Sequence, residues 1–407
     1  MSTEVKKVGN GLTLASFKSL LNKNYILLLL VSIFNQFGST MDTQIIPVWG
    51  ADLGMTAAAI TTMMTLYSVA TLVGRPLAGR LTDKLNLKFW LILIMALKGL
   101  AYVLQGIAPN PTFLMVARFF TGLVFCCITT AVATMGSLFV DRRAMGTGVG
   151  IINAIPGLFV SFAPSLATSL YANVSPTASY LTAAAASIPC IVVALFMDVK
   201  KREPKRQMPG EVHKRFDINN YICLPALPVC MITFCTASLL FACSLLVVNM
   251  SIERGLANVA IFFTTYTLFK TVGGIAGGVL GDILSAKRVL IPGLVLNAIC
   301  CVLLANGYSV IAVGAAGALY AMSYQGIMTV TKKAAAIMAP AEQRGAAMST
   351  NMLVIDIAGI IGTIIPGALY SHFGYTTTFY CMLVYPVIGI LIYLCIAKKL
   401  AAAEQAG

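Results

Sequence analysis

The sequence predicts an all-α membrane protein of twelve transmembrane helices in two pseudo-symmetric six-helix bundles. Three observations carry this. Of 407 residues, 58% are hydrophobic and only 10% are charged, against about 25% charged in an ordinary soluble domain. The apolar residues fall in runs near the ~20 residues that cross a bilayer, where backbone groups must bond within their own helix. The second half of the chain repeats the first.

Spans are expected at 25–49, 56–79, 87–107, 112–140, 144–172 and 176–197. A second set follows at 220–248, 256–280, 288–307, 309–331, 345–371 and 375–397. The first carries Asn35, Gly38, Ser39 and Asp42 on one face, by the i, i+3, i+4, i+7 rule. Its other face is Leu, Ile and Phe, so Asp42 should point into the bundle. The third holds Lys98 with no partner at its depth, which should snorkel toward polar groups. The fourth holds Arg118. Asp42 and Arg118 both lie roughly 10 Å below the far surface at ~1.5 Å per residue, a depth that permits an ion pair if their helices are neighbours. The fifth contains Pro156 and Pro164, and the eleventh Pro366, as helix-bending positions.

Domains are therefore drawn as an N-terminal bundle at 1–197, a basic linker at 198–219 and a C-terminal bundle at 220–407. The linker reads DVKKREPKRQMPGEVHKRFDIN. In the eighth span Lys270 shares a face with Tyr266, Gly273, Gly277 and Gly281. Tyr320, Tyr324 and Gln325 in the tenth are candidate cavity polar groups. In the eleventh, Asp356 lies on a small or polar stripe with Ser349, Met352, Gly359 and Thr363, at a depth that would allow it to pair with Lys270. Arg75 is near enough to the end of its span to join the loop charges.

Net charge is +14, and its placement decides its meaning. Of 28 Lys and Arg, all but Arg75, Lys98, Arg118, Arg254 and Lys270 fall on one face once the N-terminus is placed there. That bias puts both termini in the cytoplasm of a bacterial-type inner membrane and removes the case for nucleic acid. No apolar run opens the first twenty residues, so the first span should act as an uncleaved insertion signal. The eleven cysteines sit in apolar runs without a metal-ligand pattern and read as small hydrophobes. No metal or cofactor site is expected.

At a shift of 199 residues, Tyr67, Val73, Gly74, Gly79, Leu81, Asp83 and Lys88 align with Tyr266, Val272, Gly273, Gly278, Leu280, Asp282 and Lys287. The segment from Gly79 through Asp83 and Lys84 to Lys88 resembles the helix 2–3 loop signature G-x-L-x-D-R-x-G-R-K of the major facilitator superfamily. Asn86 replaces its second glycine and Lys84 an arginine. Arg118 to Gly122 resembles a second signature, R-x-x-x-G. Ala163-Pro164-Ser-Leu-Ala167-Thr168 resembles the antiporter signature G-P-x-x-G-G, with Ala and Thr where glycine is usual. The resemblance covers the whole chain and leans toward drug:proton antiporters. It implies the major facilitator fold, a monomer, and a cavity lined by the helices of Asp42 and Arg118.

Gly79 and Gly278 would let helix ends approach closely. Asp83 and Asp282 could face a neighbouring helix N-terminus and latch the halves in one state, or simply anchor the loops. Buried ionisable groups in spans are costly and mark function. Asp42 is thus a candidate proton carrier, with a permanently ionised pair as the alternative. The function expected is ion-driven, proton-coupled efflux of a small amphipathic solute. The alternative is a proton symporter or exchanger importing a metabolite, with Arg118 and Lys270 binding an organic anion. No G-x-x-x-x-G-K-[ST] loop supports an ATP-driven pump, and no clustered reactive side chains support an enzyme.

Overall fold

A computed structural model describes residues 19–160, 162–199, 222–258 and 261–405. Among them the regular structure is helical. In the first half these helices are α1 Lys23–Asp52, α2 Ala57–Lys84, α3 Leu87–Gly106, α4 Pro111–Leu138, α5 Met145–Phe159, α6 Ala163–Asn173, α7 Pro176–Ala185 and α8 Ser187–Leu195. The second half contributes α9 Leu227–Glu253, α10 Ile261–Ile283, α11 Lys287–Ala305, α12 Val310–Met338, α13 Arg344–Cys381 and α14 Val384–Gln405. Paired end to end, α5 with α6 and α7 with α8 make the fifth and sixth crossings, for twelve among the described residues. Most of the 198–219 linker, with His213, lies outside the described residues.

The starts are written in cap residues. Asn22, Thr56, Asn110, Ser175 and Ser309 each accept a backbone N–H of the helix that follows. Asn86, which stands where the loop signature has glycine, accepts from the N–H groups of Lys88 and Phe89 and so opens α3. The seventh crossing begins later than position 220. Pro225 sits in a 3-10 turn at Leu224–Ala226 and Pro228 in the first turn of α9, where a missing N–H is harmless. The fifth crossing leaves the helix at Val160, between Pro156 inside α5 and Pro164 in the first turn of α6. Pro366 does not break α13; the break there is Gly374, at φ 73°.

Two helix pairs mirror each other within the halves, α2 on α4 and α10 on α12. Two more join the halves, α2 on α13 and α5 on α10. Among the described residues, nine stretches are long and apolar enough to span on their own. Neither α2 nor α10 is among them, and both line the joint. Arg75 and Asp83 of α2 and Asp282 of α10 bond to the other half, and such charges are why apolarity alone underrates these helices. The core is apolar on each side of the joint: Leu28, Leu91 and Met135 in one half, Phe262, Leu304 and Phe379 in the other. All eleven cysteines are free; Cys381 and Cys395 are exposed rather than buried.

Candidate functional site

The halves meet on the basic face through two related seams. At the end of α2, Asp83 accepts the N–H of Gly345 (2.7 Å) and of Ala346 (2.8 Å), the first turn of α13. At the end of α10, Asp282 accepts the N–H of Gly146 (2.8 Å) and of Thr147 (2.6 Å), the first turn of α5. Each carboxylate fills the orphan donors of a helix N-terminus and faces its positive dipole end, a contact of about 1–2 kcal/mol. The approach requires glycine. A Cβ on Gly79 would lie 2.7 Å from Ser349 Cβ, and one on Gly278 2.5 Å from Gly146 O. Lys333 donates to Asp282 at 2.7 Å. Lys84, Lys88 and Lys287 do not join these contacts through any bond among the described residues; Lys88 instead donates to Leu195 O.

Toward the middle of the helices, Arg75 donates from Nε to Asp356 Oδ2 at 2.8 Å and from Nη1 to Thr129 at 2.5 Å. Ser349 donates to Arg75 O. This corrects two expectations. Asp356 does not pair with Lys270, and Arg75 does not join the loop charges. The reason is topological: α13 packs on α2, which carries Arg75, while Lys270 rides on α10 against α5 and α12.

Beyond this pair a cavity of about 280 Å³ opens between the helices. One wall is a polar stripe of α1: Gln36, Ser39, Thr40, Thr43 and Gln44. The other includes Tyr67, Tyr102 and Phe125. Asp42 lies at its edge and pairs with Arg118 (Nη1 to Oδ2, 2.5 Å), both 3% exposed. The Arg118 guanidinium also stacks 4.3 Å over the Tyr67 ring. Asp42 Oδ1 and Arg118 Nε remain without a hydrogen-bond partner. Lys98 has partners after all: it donates to Asn35 O, Asn35 Oδ1 and Ser39 Oγ at 2.6–2.8 Å. It reaches polar groups, as expected, but inside the bundle, because α1 presents Asn35 and Ser39 at its level.

Tyr320 is fully buried, its hydroxyl donating to Thr236 O, and is a core residue beside Phe262 and Tyr266. Gln325 is also buried and does not line the cavity. Lys332 and Lys333, read from the sequence as loop charges, lie inside α12 and are buried. The apolar run stops at position 331, so only their partners, Asn153 for Lys332 and Asp282 for Lys333, reveal the longer helix. Gln36, Thr40 and Thr43 were legible as an i, i+4, i+7 polar stripe adjoining that of Asp42. Tyr67 and Phe125 gave no signal apart from ordinary packing aromatics. Among the described residues, no group of three or more His, Cys, Asp or Glu is placed to hold a metal ion.

A family model described as Major Facilitator Superfamily matches residues 28–262 and 229–405. The Staphyloferrin B transporter of Staphylococcus aureus is 30% identical over 93 residues, 23% of this chain and 22% of that one. The match therefore spans about a fifth of that relative's length. Among solved structures, the Escherichia coli fucose:proton symporter FucP aligns at TM-score 0.71 and 14% identity, over 91% of this chain and 97% of that one. FucP in an outward conformation aligns at 0.70 and 15%, over 92% and 98%. The human organic anion transporter MFSD10 aligns at 0.69 and 14%, over 91% and 98%. At these identities the structures share the fold with this chain.

Proposed function

This chain belongs to the Major Facilitator Superfamily, and on that premise we propose that it exports a small amphipathic organic solute in exchange for protons. It is a multi-pass membrane transporter and not an enzyme. The observation that carries the finer reading is the Asp42–Arg118 pair at the wall of a half-polar, half-aromatic cavity, with Asp42 Oδ1 free. A proton on that oxygen would remove the charge that Arg118 neutralises. A carboxylate whose partner is a single guanidinium gains or loses its proton according to access, and access is what alternates. Among the described residues, bonds between the halves lie from mid-membrane to the basic face. With the basic face cytoplasmic, these bonds support a state closed toward the inside.

The proton then enters from outside to Asp42, the halves rock, the seams at Asp83 and Asp282 part, and the solute is taken up from the cytoplasm as the proton leaves. Export rests on the antiporter-like segment at Ala163-Pro164, which coincides with the break between α5 and α6. Protein reconstituted in liposomes with an acidic lumen should lose its gradient when an accepted solute is added outside, and Asp42→Asn should not. A gradient dissipated equally by wild type and mutant removes Asp42 from the coupling path. Dissipation only when the lumen is alkaline reverses the sign and makes the protein a symporter.

A further inference from the structure

The charges in the middle of the helices do not balance. Asp42 is matched by Arg118 and Asp356 by Arg75. Three ammoniums remain, Lys98, Lys270 and Lys332, none of them in an ion pair among the described residues, although Asp42 lies near enough to Lys98 to act on it. Unneutralised charge at this depth is costly and persists where it meets water or a ligand. Their bonding differs. Lys98 has all three donors engaged. Lys332 has one engaged, a 3.2 Å bond to Asn153 across the seam. Lys270 has none, and it is exposed although it lies mid-helix.

The position of Lys270 shows where that exposure points. It shares a face of α10 with Gly274 and Gly278, at successive four-residue steps. Gly274 abuts Gly150, and Gly278 abuts Gly146, both on α5 of the other half. Lys270 thus lies one turn beyond the last glycine contact of the closed seam, and it is exposed there. Lys332 senses the charges of both Lys270 and Arg75, and Tyr67 those of both ion pairs. Lys270 and Lys332 therefore lie near enough for their charges to act on one another. One turn further out on α10, Tyr266 stacks with Tyr320 and meets Tyr324.

We infer that the transported solute is an organic anion, its acidic group held by Lys270 and Lys332 and its apolar part against Tyr266. This rests on the reading of the space between the halves as the transport path; it requires neither proton coupling nor export. The excess of three positive charges would concentrate anions there, and each lysine donor left open makes a stronger, charge-assisted bond to an acidic group than to a neutral acceptor.

The test needs no knowledge of the natural solute. Gln36, exposed on the cavity wall, is changed to Cys in the full chain, and modification at that position is followed by peptide mass spectrometry, so the native cysteines can stay. A sulfonate-bearing and a trimethylammonium-bearing methanethiosulfonate are compared, each relative to its rate with free cysteine in solution. Taking the ratio cancels the reactivity of the thiol itself. The anionic reagent should be favoured by about tenfold or more, and K270Q and K332Q should each lower that preference at least about threefold. A ratio equal to that of the free thiol overturns the inference, as does a preference that both variants leave unchanged. In the same assay 1-naphthylacetate should protect the cysteine at concentrations where 1-naphthylacetamide does not; equal protection by the two, including none, also overturns it. No pH gradient is present, so a negative result leaves the proton-coupling reading standing, and a positive one survives the failure of Asp42→Asn to matter.

Discussion

Asp42–Arg118 and Asp356–Arg75 are the same chemical pair in different topological places. The first joins α1 to α4 within one half. The second joins α2 to α13 across the halves. Rigid-body rocking leaves the first intact and must break the second. A pair that travels with its half can serve as a site, since its geometry is the same in both states. A pair that spans the joint can only bias which state is populated. Its burial raises the stakes, because breaking it leaves two charges uncompensated unless water or a ligand reaches them.

The comparison is broken most directly by removing one acid from each pair. Asp356→Asn should favour the state open on the basic face by about 3 kcal/mol, roughly a hundredfold. Spin labels on the basic ends of α2 and α13 should report the wider separation. Asp42→Asn should leave that distance distribution unchanged while removing proton coupling. If Asp42→Asn opens the basic face as far as Asp356→Asn does, the two pairs are not functionally distinct and the topological argument fails.

The two capping acids sharpen the comparison at smaller magnitude. Asp83 and Asp282 are equivalent in the repeat and each caps a helix of the other half. Among the described residues Asp282 also holds the buried Lys333, and its side chain is fully buried whereas Asp83 is half-buried. Asp83→Asn should shift the same equilibrium by about 1–2 kcal/mol. Asp282→Asn should exceed it by about 1–3 kcal/mol, since it strands the Lys333 ammonium. Equal effects would mean that Lys333 finds another acceptor and that the seams are symmetric in energy as well as in layout.

The sequence made the helices and the repeat legible because both are local or one-dimensional signals. Apolar length marks the crossings, and the 199-residue register marks the duplication. It also placed Asp42 and Arg118 at one depth, since rise per residue is fixed. Which helices touch was beyond it. Depth offered Asp356 only Lys270 as a partner, and the packing of α2 on α13 gives it Arg75 instead. The same ignorance of neighbours left Lys98 unpartnered until Asn35 and Ser39 were brought against it. Lys332 and Lys333 were misplaced for a different reason. Hydropathy ends a span at the first charge, whereas the helix continues as long as tertiary partners satisfy that charge.

The smallest effect belongs to an ion pair outside the membrane. Lys23 and Asp198 meet at 2.8 Å, tying the start of α1 to the end of the sixth crossing, and both side chains are largely exposed. The Lys23 ammonium holds the Asp198 carboxyl below the usual carboxylate range. A depressed carboxylate contributes stability above its unfolded value and loses it as pH falls through the folded one. Any contribution should therefore be present at neutral pH and fade in acid. Water and salt screen a pair this exposed, and such pairs often contribute nothing measurable. Lys23→Gln should leave thermal unfolding in detergent unchanged within error at pH 7 and at pH 4. A clear loss at pH 7 that disappears at pH 4 would show that this contact, unlike other exposed pairs, fixes the relation between the first and sixth crossings.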